Sequence, residues 1–423
     1  MPEATKKQSE SSKSMIVEVR LRSDVKVKDE ESLLKEVVQF LRELKVVVNN
    51  KSIPFNHKTH LKESIEKVLL SQTELPDFES FAVESVPDDQ FVVHFYRASS
   101  SEVVPQVMDN DCDEASVASH QWELPNKEFD DLWENLVFPT NVKSEILDYV
   151  RSMLLLADCQ VNRSIVTVNR MVLLHGPPGT GKTTLCRALA QRLSVRLGKR
   201  FLRSIFVEVN SHSLFSRWFS ESGKLVMKMF SQIEDLLQDS NALVFVLIDE
   251  VESLTMARQT ALNRNEPSDA VRVVNALLTQ LDHIRRYPNV LILTTSNLSE
   301  AVDGAFVDRA DLKRYIPPPT PEAITNIFSG IIEELRRCGL LAAPKSGAAD
   351  DENSKLLKIA RLSVGLSGRT LRRLPVIAFS KVLDKDVQLD RFLEVLSDAV
   401  LTEMIDSDKI SKLKISDQAN GAV

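Results

Sequence analysis

The sequence predicts an α/β protein: a P-loop domain on a parallel five-stranded sheet, with a small α/β domain before it and a helical lid after it. Three observations carry this. An apolar run at 171–174 leads into Gly176-Pro177-Pro178-Gly179-Thr180-Gly181-Lys182-Thr183, and a helical pattern starts at once with Thr184, Leu185, Ala188, Leu189 and Leu193. Three more apolar runs, 205–209, 243–248 and 290–296, alternate with helical patterns, as parallel strands covered on both faces do. After Pro317-Pro318-Pro319 the spacing is helical.

Taken in order, residues 1–14 are polar and rich in Lys and Ser, without the apolar core of a signal peptide, and read as a disordered tail. Residues 15–97 form the small α/β domain. Its first run, 15–21, alternates apolar and polar residues as a half-buried strand would. Leu33, Leu34, Val37, Val38, Leu41 and Leu44 keep helical spacing, and 91–95 is a second strand. Residues 98–119 are acidic and serine-rich and predict a flexible linker. Residues 120–318 hold the large P-loop domain, with an amphipathic helix through Val142, Ile146, Val150 and Met153 ahead of the glycine loop. Residues 319–423 are the lid.

Composition narrows the partners. The net charge of −7 disfavours non-specific binding to nucleic acid or to an anionic membrane surface. The four cysteines show no metal-ligand spacing, and no apolar run has the length to cross a bilayer.

The chemistry sits at strand ends. Glycines at 176, 179 and 181 let backbone N–H groups turn inward on phosphate oxygens at a helix N-terminus. The whole stretch from Gly176 through Pro177, Pro178, Gly179, Thr180, Gly181, Lys182 and Thr183 to Thr184 is the candidate nucleotide-binding loop. Lys182 would reach the β- and γ-phosphates of ATP, and the Thr183 hydroxyl would face Mg2+. The run at 243–248 ends in Asp249-Glu250. Asp249 would hold Mg2+, and Glu250 would polarise the attacking water. Asn297 ends the next strand and would orient the same water. Arg309 stands where it could reach a neighbouring subunit's γ-phosphate, or form a plain intramolecular salt bridge. Arg369, in Gly365-Leu366-Ser367-Gly368-Arg369, would touch the γ-phosphate from the lid. Trp218 and Phe219 lie in a polar run rather than on a helical stripe, which suggests a substrate-gripping loop.

These motifs, in this order, resemble the AAA+ ATPase module over residues 120–410: a P-loop α/β domain with a smaller helical lid. The strings 211–224, 246–254, 307–311 and 365–369 are similar to the pachytene checkpoint ATPase (thyroid-receptor-interacting protein) family. That resemblance implies a homo-hexamer that hydrolyses ATP to remodel HORMA-domain clients from closed to open, with a HORMA-type adaptor and no direct nucleic-acid or membrane partner. It implies work on meiotic chromosome axes and in the spindle checkpoint, and so a place in the nucleus and on chromosomes, and in the cytoplasm and at kinetochores during division. It makes Asn297 and Arg369 the two nucleotide sensors, Trp218-Phe219 the pore loop, and residues 15–97 the adaptor or substrate-recognition domain. Two departures stand out against the wider AAA+ pattern. Ser220 replaces the glycine of an aromatic-hydrophobic-glycine triplet, and one arginine, Arg309, precedes Asp311 where many relatives have two. Two other readings remain: a DNA-associated AAA+ loader, and a nucleotide-gated scaffold.

Overall fold

The computed structural model describes residues 15–420 apart from 25–29, 54–59, 73–74, 76–78, 85, 88–89, 109–115, 139–140, 163, 211–221, 254–268, 298–303, 344–348 and 383–385. The chain forms two compact units. One comprises residues 1–134, 141–174 and 183–314; the other comprises 135–140, 175–182 and 315–423.

In the first unit, β1 (Met15–Leu21) pairs antiparallel with β4 (Ile65–Gln72) and parallel with β6 (Phe91–Tyr96), and β3 (Ser52–Ile53) pairs with β4. The sheet order is β3-β4-β1-β6, and a separate ribbon joins β2 (Val46–Val48) to β5 (Ser80–Ala82). Helix α1 (Glu30–Glu43) places Leu33, Val37, Phe40 and Leu41 in one core with Val17, Val19, Val68 and Leu70. Alternation predicted a half-buried β1, yet every residue of it is buried. The polar residues Glu18 and Arg20 are covered because charged partners meet them from outside the small domain.

A second sheet of seven strands runs through this unit. Its order is β13 (Leu312–Tyr315), β9 (Met171–His175), β12 (Val290–Ser296), β11 (Ala242–Ile248), β10 (Arg203–Val209), β8 (Ser116–Leu124) and β7 (Val104–Met108). The β10–β11 and β11–β12 pairs are parallel, as the alternating pattern required. The sheet is two strands wider than the five expected, because β8 joins β10 antiparallel and β7 joins β8. Residues 98–119 are therefore not a linker over 104–108 and 116–119, which are strand. Their polarity belongs to a sheet edge: β7 is the last strand, while Ala118, Trp122 and Leu124 of β8 are buried. Ile205, Val207, Val244, Val246, Val290 and Ile292 share a core with Val226, Met229, Phe230 and Ile233 of α4 (Ser222–Leu237) and with Val273, Val274, Leu277 and Leu281 of α5 (Asp269–Ile284). Period-two alternation turns Phe206 to the other face, where its ring centroid is 5.8 Å from Trp122 and 5.3 Å from Phe129. Helix α2 (Val142–Asp158) precedes β9, and α3 (Lys182–Arg196) follows the glycine loop.

The small domain is held to α3 by buried charge. Glu18 lies 2.7 Å from Arg196 and 3.0 Å from Arg192, and the side chains of Glu18 and Arg192 are almost fully buried. Arg192 donates to Asn50 Oδ1 and stacks 5.3 Å over Trp133. Arg20 bridges Glu66 and Asp130, and Lys67 bridges Asp131 and Glu134.

The second unit is helical apart from the glycine loop. Helices α7 (Pro321–Arg337), α8 (Ala349–Leu362), α9 (Gly368–Phe379) and α10 (Leu389–Asn420) close around Ile324, Phe328, Leu356, Leu371, Phe392 and Leu396. A short α6 (Gly304–Arg309) in the first unit precedes β13. Thr320 caps α7 with Pro321 in its first turn, and Ser367 caps α9 by accepting from the Thr370 N–H at 3.1 Å.

Candidate nucleotide site

The glycine loop needs its glycines for conformation and for space. Gly176, Gly179 and Gly181 have φ of +146°, +74° and +95°, values that favour glycine. A Cβ on Gly176 would stand 2.3 Å from the Ile316 carbonyl oxygen, and one on Gly179 would stand 2.8 Å from Ser367 Oγ. Lys182 is buried and donates to the carbonyls of Gly176 (2.8 Å) and Pro177 (2.7 Å). Its ammonium thus lies inside the turn of the loop. Thr180 Oγ1 donates to the Pro177 carbonyl at 3.0 Å. The lid reaches this loop directly: the Arg369 N–H donates to the Gly179 carbonyl at 3.2 Å. The Arg369 side chain is exposed, and its guanidinium makes no hydrogen bond or ion pair among the described residues. His175, just before the loop, has its pKa held below the usual histidine value by burial and by the Lys182 charge.

In the first unit, Thr183 lies in the first turn of α3 and its hydroxyl donates to both Asp249 oxygens, at 2.9 and 3.1 Å. The Thr295 hydroxyl also donates to Asp249 and accepts from the Glu250 N–H at 3.1 Å. Asn297 Nδ2 donates to Glu250 Oε1 at 3.1 Å, and the Asn297 N–H donates to the buried Glu252 carboxylate at 3.0 Å. Glu250 has a φ of +54°, a left-handed conformation uncommon for a non-glycine residue. Strand β11 aims Asp249 at α3, and the turn after it swings Glu250 toward the end of β12. The three acidic and amide groups found at strand ends in the sequence, Asp249, Glu250 and Asn297, are one cluster in space. A threonine hydroxyl and a carboxylate on one point form a hard-oxygen donor set, which suits Mg2+.

Arg309 is placed differently. It ends α6 and forms a bidentate pair with Asp282 of α5, at 2.9 and 2.7 Å, and donates to the Ala305 carbonyl. This is the intramolecular alternative stated for it above. Asp311, two residues on, accepts from Tyr149, from the Asn169 side chain and from the Asn169 and Arg170 N–H groups at 2.7–3.0 Å, which ties the α6–β13 turn to the entrance of β9. Trp218, Phe219 and Ser220 lie outside the described residues.

Comparison with known proteins now bears on the reading. Residues 172–318 match the family of ATPases associated with various cellular activities (AAA), residues 343–404 the TRIP13-like AAA+ ATPase lid C-terminal domain, and residues 11–98 the Pch2 N-terminal domain. The chain is 45% identical over 379 residues to a pachytene checkpoint protein 2 homolog from Xenopus tropicalis, covering 86% of this chain and 87% of that one. This chain belongs to the pachytene checkpoint protein 2 family. The solved structure of C. elegans PCH-2 is similar with a TM-score of 0.77 and 37% identity, covering 93% of this chain and 99% of that chain. A chain in the solved structure of an E. coli MS115-1 HORMA:CdnC:Trip13 complex shares the fold, with a TM-score of 0.52 and 18% identity, over 65% of this chain and 93% of that one. As a member of an AAA family of ATPases, the chain carries a nucleotide-binding, ATP-hydrolysing module.

Sequence reasoning missed Thr295, Glu252 and Ser367. Each is a common residue in a common place, a strand, a turn or a helix cap, and no spacing sets it apart. The nearest signal was Thr294-Thr295-Ser296, three hydroxyl residues closing a strand otherwise made of Val, Leu and Ile.

Proposed function

We propose that this protein is a homo-hexameric ATPase that uses ATP hydrolysis to convert HORMA-domain clients from closed to open and so to dismantle their complexes. The observation that carries the hydrolytic half is the 3.1 Å bond between Asn297 and Glu250 beside an Asp249 already engaged by Thr183. In this reading the loop N–H groups and Lys182 bind the β- and γ-phosphates of ATP. Mg2+, held through Thr183 and Asp249, would neutralise charge on those phosphates. Glu250 takes the proton of the attacking water, and Asn297 orients the Glu250 carboxylate for it through that bond. Arg369 reads the γ-phosphate from the lid, and Arg309 serves the site of a neighbouring subunit after leaving Asp282.

The client half is supported by membership of the family and by the resemblance of the motifs to its HORMA remodellers. The E. coli relative in the HORMA:CdnC:Trip13 complex is consistent with it. Trp218 and Phe219 grip the client, and residues 15–97 recognise client or adaptor. The reading places the protein in the nucleus and on chromosomes, and in the cytoplasm and at kinetochores during division. The test is a Glu250→Gln variant. It should bind ATP, lose hydrolysis, and retain HORMA-domain proteins when bound material is identified by mass spectrometry. Normal turnover would reject the role of Glu250, and a trapped set without HORMA proteins would reject the client class.

A further inference from the structure

The N-terminal sheet ends in β6, and no described strand pairs with its outer edge. Such an edge presents a row of unpaired N–H and C=O groups, a template for another strand. Beside it opens a cleft of about 360 Å3, floored by Leu154 and Leu193 and walled by Val92 and His94 of β6 and by Arg151 and Leu155 of α2. Large apolar side chains face solvent on both walls: Val92 is 39% and Leu155 61% exposed.

The register gives the cleft two rows. Ile16 of β1 is opposite Val92, and Glu18 is opposite His94. A strand added to β6 would continue both rows, because side chains two residues apart share a face. In the first row its side chain would follow Ile16 and Val92 across toward Leu155, where an apolar residue is matched. In the second it would follow Glu18 and His94 toward Arg151. The Arg151 guanidinium has no hydrogen bond or ion pair among the described residues, and the His94 ring has no hydrogen bond. Asp158 on the cleft is neutralised by a bidentate pair with Arg200 at 2.7 and 2.8 Å, and Asp148 is an exposed carboxylate one turn before Arg151; beside His94, however, the charges of Arg151, Arg196 and Lys199 outnumber the one carboxylate, Glu18. An acidic side chain therefore completes the second row.

From this geometry we infer that the outer edge of β6 is the docking site for an extended segment of a partner protein, which adds as a strand and lays alternating apolar and acidic side chains against α2. The open backbone edge favours a polypeptide over a small amphipathic acid, which would fill the cleft and leave the edge groups unpaired. The inference deepens the proposed recognition role of residues 15–97 by naming the edge and the chemistry of the segment it takes, and its peptide test is read apart from ATP turnover and client conversion.

The test uses the full chain and a displayed library of random dodecapeptides, selected on the wild type and counter-selected on Leu155→Asp and Arg151→Glu. Both substitutions fall at exposed helix positions away from the nucleotide site, so circular dichroism and basal ATP turnover should match the wild type. Enriched peptides should alternate apolar and acidic residues. Labelled with fluorescein, they should bind each variant at least about tenfold more weakly, and exchanging their acidic residues for lysine should restore binding to Arg151→Glu. Bound peptide should slow amide hydrogen exchange across residues 91–96. Three results would overturn the inference: no enrichment that depends on these two residues, binding without protection of β6, or sedimentation showing that Leu155→Asp dissociates a self-associated form, which would mean a second copy covers the edge.

Discussion

Replacing Glu18 with Gln keeps the shape of the small domain's junction with α3 and removes only its charge. Glu18 is 5% exposed and is the acceptor for Arg196 at 2.7 Å and the ion-pair partner of Arg192 at 3.0 Å. The Arg192 Nε is buried without a hydrogen bond of its own, so its stabilisation by Glu18 is coulombic and vanishes with the charge. Breaking a buried pair costs about 3–5 kcal/mol because it strands the remaining ion. Arg196 keeps Ser71 as an acceptor at 3.2 Å, and Gln can still accept one bond, so the cost should fall near the lower figure. About 3 kcal/mol is roughly two powers of ten in the docked-to-undocked equilibrium. Trp133, stacked on Arg192 at 5.3 Å, is the reporter: urea titration followed by tryptophan fluorescence, with hydrogen exchange over β1 as the second probe. Burial alone would raise the Glu18 pKa, but Arg192 and Arg196 outweigh it and hold the value below normal. The stabilisation is therefore complete above the unfolded glutamate value of about 4.3 and is lost as pH falls through the lower folded value. The variant should lack that acid-dependent loss. A variant within about 0.5 kcal/mol of wild type would refute the coulombic account of the junction.

Other predictions follow from the site. Asn297→Ala removes the donor 3.1 Å from Glu250 but leaves the backbone bond to Glu252. It should lower kcat about 10²–10³-fold with little change in KM in steady-state assays. Gly176→Ala sets a Cβ 2.3 Å from the Ile316 carbonyl oxygen at a φ of +146°. It should abolish binding of a fluorescent ATP analogue while leaving hydrogen exchange over β1 and β4 unchanged. Arg309→Ala should reduce turnover about 10³-fold, whereas Asp282→Ala, which removes only the bidentate partner of Arg309, should keep it within a few-fold. Equal losses in the two variants would assign Arg309 to the fold alone.

Much of this was legible because the signals are local. Strands β9 to β12 are each built on a continuous apolar run, and the glycine loop, Asp249-Glu250 and Asn297 each close or follow one of them. What escaped depends on distant partners. Glu18 and Arg20 look like the wet side of a strand, and nothing near them in sequence announces that Arg192 and Arg196 will cover Glu18. Strand β7 and residues 116–119 of β8 read as linker because edge strands tolerate polar residues, while the buried Trp122 sits at the far end of β8. Thr295 is legible only once β11 and β12 are neighbours.

The glycine loop belongs to the same compact unit as the lid: Gly176 abuts Ile316, and Gly179 abuts Ser367 and Arg369. Its last supports are synthesised roughly 190 residues after Lys182. At ribosomal rates of about 5–20 residues per second that is a delay of roughly ten to forty seconds. During it, β1 through β12 can already be folding while the phosphate-binding turn still lacks its floor. The turn around Gly179 is thus completed only after Ser367 and Arg369 of the lid have been made.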